Sequence, residues 1–126
     1  MIGRRYAIPL KTRIALERVF EASLDGIAVI ENSLYARAHP GMCATTRPNR
    51  ILLAISGAEF AANPQLLLHE YFHVIRQWRP GHLTRWRYLI ESARGGYRAN
   101  RYELEAREFA ATARERFDRY LSELTQ

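Results

Sequence analysis

The chain has a single cysteine, Cys43, so it can form neither an intrachain disulfide nor a thiolate-based zinc site. It also has a single lysine, Lys11, and arginine carries almost all of its +6 net charge. Apart from Arg4-Arg5 and Arg85-Trp86-Arg87, the arginines are scattered along several segments and form no longer basic run, which argues against nucleic acid as a partner. No apolar stretch approaches the roughly 20 residues that a membrane-spanning helix needs. The first residues, Met1-Ile2-Gly3-Arg4-Arg5, lead into charge and not into an apolar run, so no signal peptide is expected. The expectation is a cytoplasmic protein with no membrane partner, and export by a route without a signal peptide stays open.

An apolar content of 48% is that of a folded globular chain, and 126 residues suffice for one domain with its own core. No repeat, low-complexity tract or linker divides residues 1–126. Residues 10–24 read as an amphipathic helix with Ile14, Val19, Phe20 and Leu24 inward, closed by Asp25-Gly26. Residues 27–30 read as a short strand, followed by a helical turn around residues 33–38 and a loop containing His39. Residues 44–46, 47–49 and 50–55 read as strand, turn and strand. The second strand is continuously apolar, as suits a strand covered on both faces. Ser56-Gly57 ends it. Residues 83–93 form a further amphipathic helix with Leu83, Trp86, Ile90 and Ala93 along one stripe, and the tryptophans are assigned to the core by default. After Gly95-Gly96 a long helix spans about residues 100–124.

The chemistry concentrates in residues 66–78. Asn63 and Pro64 supply an N-cap and a first-turn proline for a helix that contains His69-Glu70-x-x-His73. Histidines at i and i+4 lie one above the other, so both imidazoles can reach one metal ion, with the intervening glutamate beside a metal-bound water. The spacing alone arises by chance in roughly one chain in a hundred of this size. Here it has support: His69, Glu70, His73, Arg76 and Gln77 share an arc of roughly 120°, and apolar residues cover the rest of the helix.

A catalytic zinc needs three protein ligands and one open position. On the last helix Glu103 lies roughly 60° from the centre of the apolar face, against about 100° for Glu105 and about 160° for Glu108. Glu103 is therefore the preferred third ligand and Glu105 the reserve. The competing assignment is a capping box, Asn100-x-x-Glu103, in which the glutamate serves its own helix start.

Leu68-His69-Glu70-x-x-His73, followed by Tyr102-Glu103-x-x-Ala106-x-x-Phe109-Ala110, resembles the gluzincins, metallopeptidases with a glutamate as third ligand. The second element is similar to the glutamate helix of integral-membrane CAAX-type proteases and of phage-repressor-cleaving regulators. The upstream order resembles a small predicted peptidase domain associated with extracellular contractile injection systems and bacterial polymorphic toxins. Together the resemblance covers about residues 25–112. It departs at Arg107, where many of these families place an aspartate that orients a ligand histidine; here a backbone carbonyl or another carboxylate would have to do so.

The resemblance implies a compact, zincin-like α+β fold, with a small sheet beside the metal helix and a helix-rich C-terminal half. It implies one zinc ion on His69, His73 and Glu103, with Glu70 as general base in hydrolysis of a peptide or protein substrate. Tyr97, Arg98, Tyr102 and His82 are candidate oxyanion donors. The strand containing Arg50, Ile51, Leu52 and Leu53 is the expected edge for pairing with substrate. So short a chain has little room for a second lobe, so its cleft is shallow or a protein partner completes it. A zinc-stabilised binding module or inactive remnant is the alternative, and a nucleic-acid-binding protein with an accidental motif is the weakest.

Overall fold

The structure, a computed structural model, describes residues 3–37 and 43–125, with the backbone alone for Tyr35, Arg37, Tyr97, Arg98 and Ala99. His39 lies outside the described residues. Strand β1 (Arg4–Tyr6) leads into helix α1 (Leu10–Phe20), then β2 (Ala28–Glu31), the short α2 (Leu34–Arg37), and the β3 (Ala44–Arg47) and β4 (Arg50–Leu53) hairpin. Three helical stretches follow: α3 (Gly57–Ala61), α4 (Pro64–Phe72) with its π-helical continuation His73–Trp78, and α5 (Arg85–Ala99). The long α6 (Arg101–Thr125) closes a fold of the α+β class.

The four strands form one sheet in the order β1-β2-β4-β3. β2 and β4 run parallel, with Val29 opposite Ile51, and the outer pairs are antiparallel. β4 is thus interior. Ile51, Leu52 and Leu53 are buried, as its continuous apolar run demands. The expectation that Arg50, Ile51, Leu52 and Leu53 form a free edge is therefore corrected: β2 and β3 occupy the two sides of that strand. The edges are β1 and β3, and β3 alternates between buried and half-buried residues.

Other boundaries moved for local reasons. Helix α1 ends at Phe20 and not at residue 24, because Glu21 takes a left-handed φ of 52° and the Glu17 carboxylate accepts the Leu24 amide at 2.8 Å. Leu24 is buried all the same. Ser56 ends no strand but caps α3: its hydroxyl accepts from Glu59 N at 3.1 Å, and the Glu59 carboxylate accepts from Ser56 N at 3.4 Å. Gly57 is required there. A Cβ would lie 2.1 Å from the Tyr6 ring, whose strand packs across the start of α3.

Helix α4 starts as its sequence dictates, with Asn63 Oδ1 accepting from Leu66 N at 3.1 Å and Pro64 in the first turn. Its apolar residues Leu67, Leu68 and Tyr71 join Leu16, Phe20, Ile51, Leu53, Val74 and Phe117 in the core, and its most extensive packing is against α6. At His73 the winding widens to π, as in the 3.0 Å bond from Arg79 N to Val74 O. Such segments recur at functional sites.

Helix α5 is turned the other way from the expected stripe. Leu83 before it is buried, but Trp86 is 76% and Ile90 50% exposed, so Trp86 is not a core residue. The opposite face is the anchored one: Asn100 Nδ2 donates to Tyr88 O at 3.3 Å and to Ser92 Oγ at 3.0 Å. A Gly96 φ of 75° then breaks the helix ahead of α6.

Candidate metal centre

Helices α4 and α6 bring three donor atoms together. Glu103 Oε1 lies 3.0 Å from His69 Nε2 and 3.1 Å from His73 Nε2, and the two imidazole nitrogens are 3.3 Å apart. Donors held at about 2.0–2.1 Å around a tetrahedral zinc stand roughly 3.3 Å from one another, so the triangle is of zinc-site size. The residues fit a zinc ion in donor type, count and spacing. His69 and Glu103 are largely buried, and His73 almost completely.

Glu70 completes the group. Its carboxylate and the two imidazoles bring ligand atoms within 4.8 Å of one another. Glu103, 3.0–3.1 Å from both histidines, is the closer carboxylate, which leaves Glu70 beside the centre. Burial pushes the Glu70 carboxyl above its ordinary value, against the pull of His73 and His69 and with a smaller push from Glu103. A raised carboxyl holds a proton more readily, as a general base must once it has accepted one.

Glu103 does not cap its helix. Its second oxygen, Oε2, accepts from the Tyr88 hydroxyl at 2.9 Å, while Asn100 Oδ1 caps α6 by accepting from Tyr102 N at 2.8 Å. Burial opposes its charge, but hydrogen bonds from His69 and His73 and their nearby charge hold the carboxyl well below the usual carboxylate range. Burial likewise opposes a charge on His73. There the bond to Glu103, the charges of Glu70 and Glu103 and the bond to Gln77 outweigh it, and the imidazole is pushed up to about 9. A proton and a metal ion would therefore compete for the same nitrogen.

The tautomer of His73 is set from behind. Gln77 Nε2 donates to the Tyr102 carbonyl and to Glu105 Oε1, both at 2.9 Å, so its amide oxygen must face the imidazole. His73 Nδ1–H donates to that oxygen at 2.6 Å, directing Nε2 into the centre. Gln77 therefore fills the orienting role left open by Arg107, through a side-chain amide and not the carbonyl or carboxylate expected from sequence. Glu105, the reserve ligand, stands behind Gln77 and not at the histidine nitrogens.

Of the candidate oxyanion donors, Tyr102 and His82 are not brought to the centre. The Tyr102 hydroxyl accepts from Arg101 Nη2 at 3.0 Å, and only its carbonyl serves the site. His82 is exposed in the turn before α5, where its carbonyl accepts from Arg87. The side chains of Tyr97 and Arg98 lie outside the described residues. Tyr88, which the sequence did not single out, is the tyrosine that reaches Glu103; its signal was a polar-tipped residue on the face of α5 opposite the apolar stripe. A cavity of about 260 Å³ lined by Tyr6, Ile8, Leu24, Val29 and Tyr71 includes none of the four site residues.

Compared with family models, curated proteins and solved structures, the chain matches none of them. Among the described residues no helix is long and apolar enough to cross a membrane.

Proposed function

We propose that the chain is a zinc-dependent peptidase of the gluzincin type, acting on a peptide or protein substrate in the cytoplasm. The observation that carries this reading is the convergence of His69 Nε2, His73 Nε2 and Glu103 Oε1 within 3.0–3.3 Å, with buried Glu70 beside them. A zinc ion held by these three residues would acidify a water and polarise the scissile carbonyl.

The chain's own groups supply the rest. Glu70 accepts the water's proton and returns it to the leaving amine, a role suited to a buried carboxyl whose pKa is raised. Gln77 keeps the Nε2 lone pair of His73 directed inward, and Tyr88 fixes the carboxylate of Glu103 through Oε2. Extended substrate would pair with β3, the edge strand tied to the metal helix by the 3.1 Å bond from Trp78 Nε1 to Thr46 Oγ1. Either the cleft is shallow or a protein partner would complete it.

The test is cleavage of a mixed peptide library by zinc-loaded protein beside Glu70→Gln, which retains all three ligands. Cleavage by the parent, lost in a variant that still holds zinc, supports the reading. Equal background in both discards peptidase activity and leaves a zinc-stabilised binding module.

A further inference from the structure

Helix α5 is amphipathic with its polar side inward. At about 100° per residue, Trp86, Leu89, Ile90 and Ala93 share an arc of roughly 100°, while Tyr88 and Ser92 face the opposite way. The inward side is fixed: Tyr88 bonds Glu103, and Asn100 holds both Tyr88 O and Ser92 Oγ. The apolar side meets solvent, with Trp86 76%, Leu89 59% and Ile90 50% exposed. Arginines flank it, Arg85 on one side and Arg87 and Arg94 on the other. The single acid of the helix, Glu91, is mostly buried and stands 3.6 Å from Arg94.

We propose that this face of α5 lies on an anionic lipid surface. Tryptophan, leucine and isoleucine bordered on both sides by arginines form the pattern of a helix lying in the plane of a membrane interface. Its apolar side chains enter the acyl boundary, and the guanidinium groups of Arg85 and Arg94 reach the phosphates, while Arg87 donates to the Gly81 and His82 carbonyls. Such docking needs no spanning segment, so it is compatible with the absence of one among the described residues.

Two other occupants fit less well. The three large side chains expose on the order of 400 Å² of apolar area, about half of what each partner of a stable dimer buries. A protein groove would enclose most of a helix's circumference, whereas α5 has only one free face, its other side being bonded to Glu103 and Asn100. A flat, negatively charged surface matches both the narrow stripe and its flanking charge.

The test is co-sedimentation of the full chain with phosphatidylcholine vesicles, with and without phosphatidylglycerol, while tryptophan emission is followed beside that of Trp86→Phe, which leaves only the Trp78 signal. Partition onto the anionic vesicles at least about tenfold stronger than onto neutral ones, with a blue shift, is expected. Leu89→Glu and, separately, Arg85→Gln with Arg94→Gln each lower it by about tenfold while the thermal melt is unchanged. Equal partition onto both vesicles, or none onto either, overturns the proposal. So does a concentration-dependent dimer that Leu89→Glu abolishes, which would assign the face to a second copy.

Discussion

Gln77 Oε1 accepts from His73 Nδ1 at 2.6 Å, a short contact between a side chain with no charge and an imidazole that the surrounding charges favour protonating. The amide cannot turn over, because its nitrogen already serves Tyr102 O and Glu105. Gln77→Ala removes this support. It should weaken zinc binding by about 10- to 100-fold, measured by competition with a chromophoric chelator. It should also cost about 1–3 kcal/mol in chemical denaturation of the metal-free protein, since buried partners lose their bonds. Unchanged zinc affinity would remove Gln77 from the site.

Glu103 and Glu105 are two residues apart, and only the first reaches the histidines. Glu103→Ala should abolish stoichiometric zinc binding, whereas Glu105→Ala should retain one zinc per chain with an affinity loss of less than about tenfold. Equilibrium dialysis distinguishes the two. Zinc lost from Glu105→Ala and kept by Glu103→Ala would reverse the assignment.

The metal-free protein should lose stability as pH rises. His73 is raised from 6.5 to about 9 in the folded state, so its contribution is fully present below about 6.5 and disappears as pH passes through about 9. Burial of Glu70, whose carboxyl is also raised, acts in the same sense. Glu103 is lowered, so its contribution is present above its ordinary value and fades only in acid. The loss between pH 6.5 and 9 is on the order of a few kcal/mol. It is measurable as a falling melting temperature of chelator-treated protein, and His73→Ala should flatten the curve.

Gly57→Ala tests the fold away from the site. The added methyl meets the Tyr6 ring 2.1 Å away, at a helix start whose amide donates to Glu31 at 2.8 Å. We expect destabilisation of about 1–3 kcal/mol in denaturant titration, with zinc stoichiometry unchanged. A neutral effect would mean that β1 is not held against α3.

The helix that carries His69 and His73 was legible because its information is local: an N-cap, a proline and one polar arc on an apolar helix. The inward turn of Glu103 was legible for the same reason, from the period of α6. β4 shows where a resemblance and the residues diverge. Its unbroken apolar run indicated a covered strand, and the structure agrees with the residues over the edge role. β1 could not be read, since Arg4–Tyr6 is a polar three-residue strand held by backbone bonds to β2. The outward stripe of α5 and the reach of Tyr88 were hidden because periodicity gives two opposite faces but not which one meets the core. The role of Gln77 depended on the Tyr102 carbonyl, a partner 25 residues away that no local pattern specifies.

The most direct test of the central claim is the zinc content of the purified protein, prepared without contact with nickel resin, beside His73→Ala, Glu103→Ala and Glu70→Gln. The account predicts one zinc per chain in the parent and in Glu70→Gln, and none in the two ligand variants. A parent that retains no zinc after loading and removal of excess metal, while remaining folded, would contradict it.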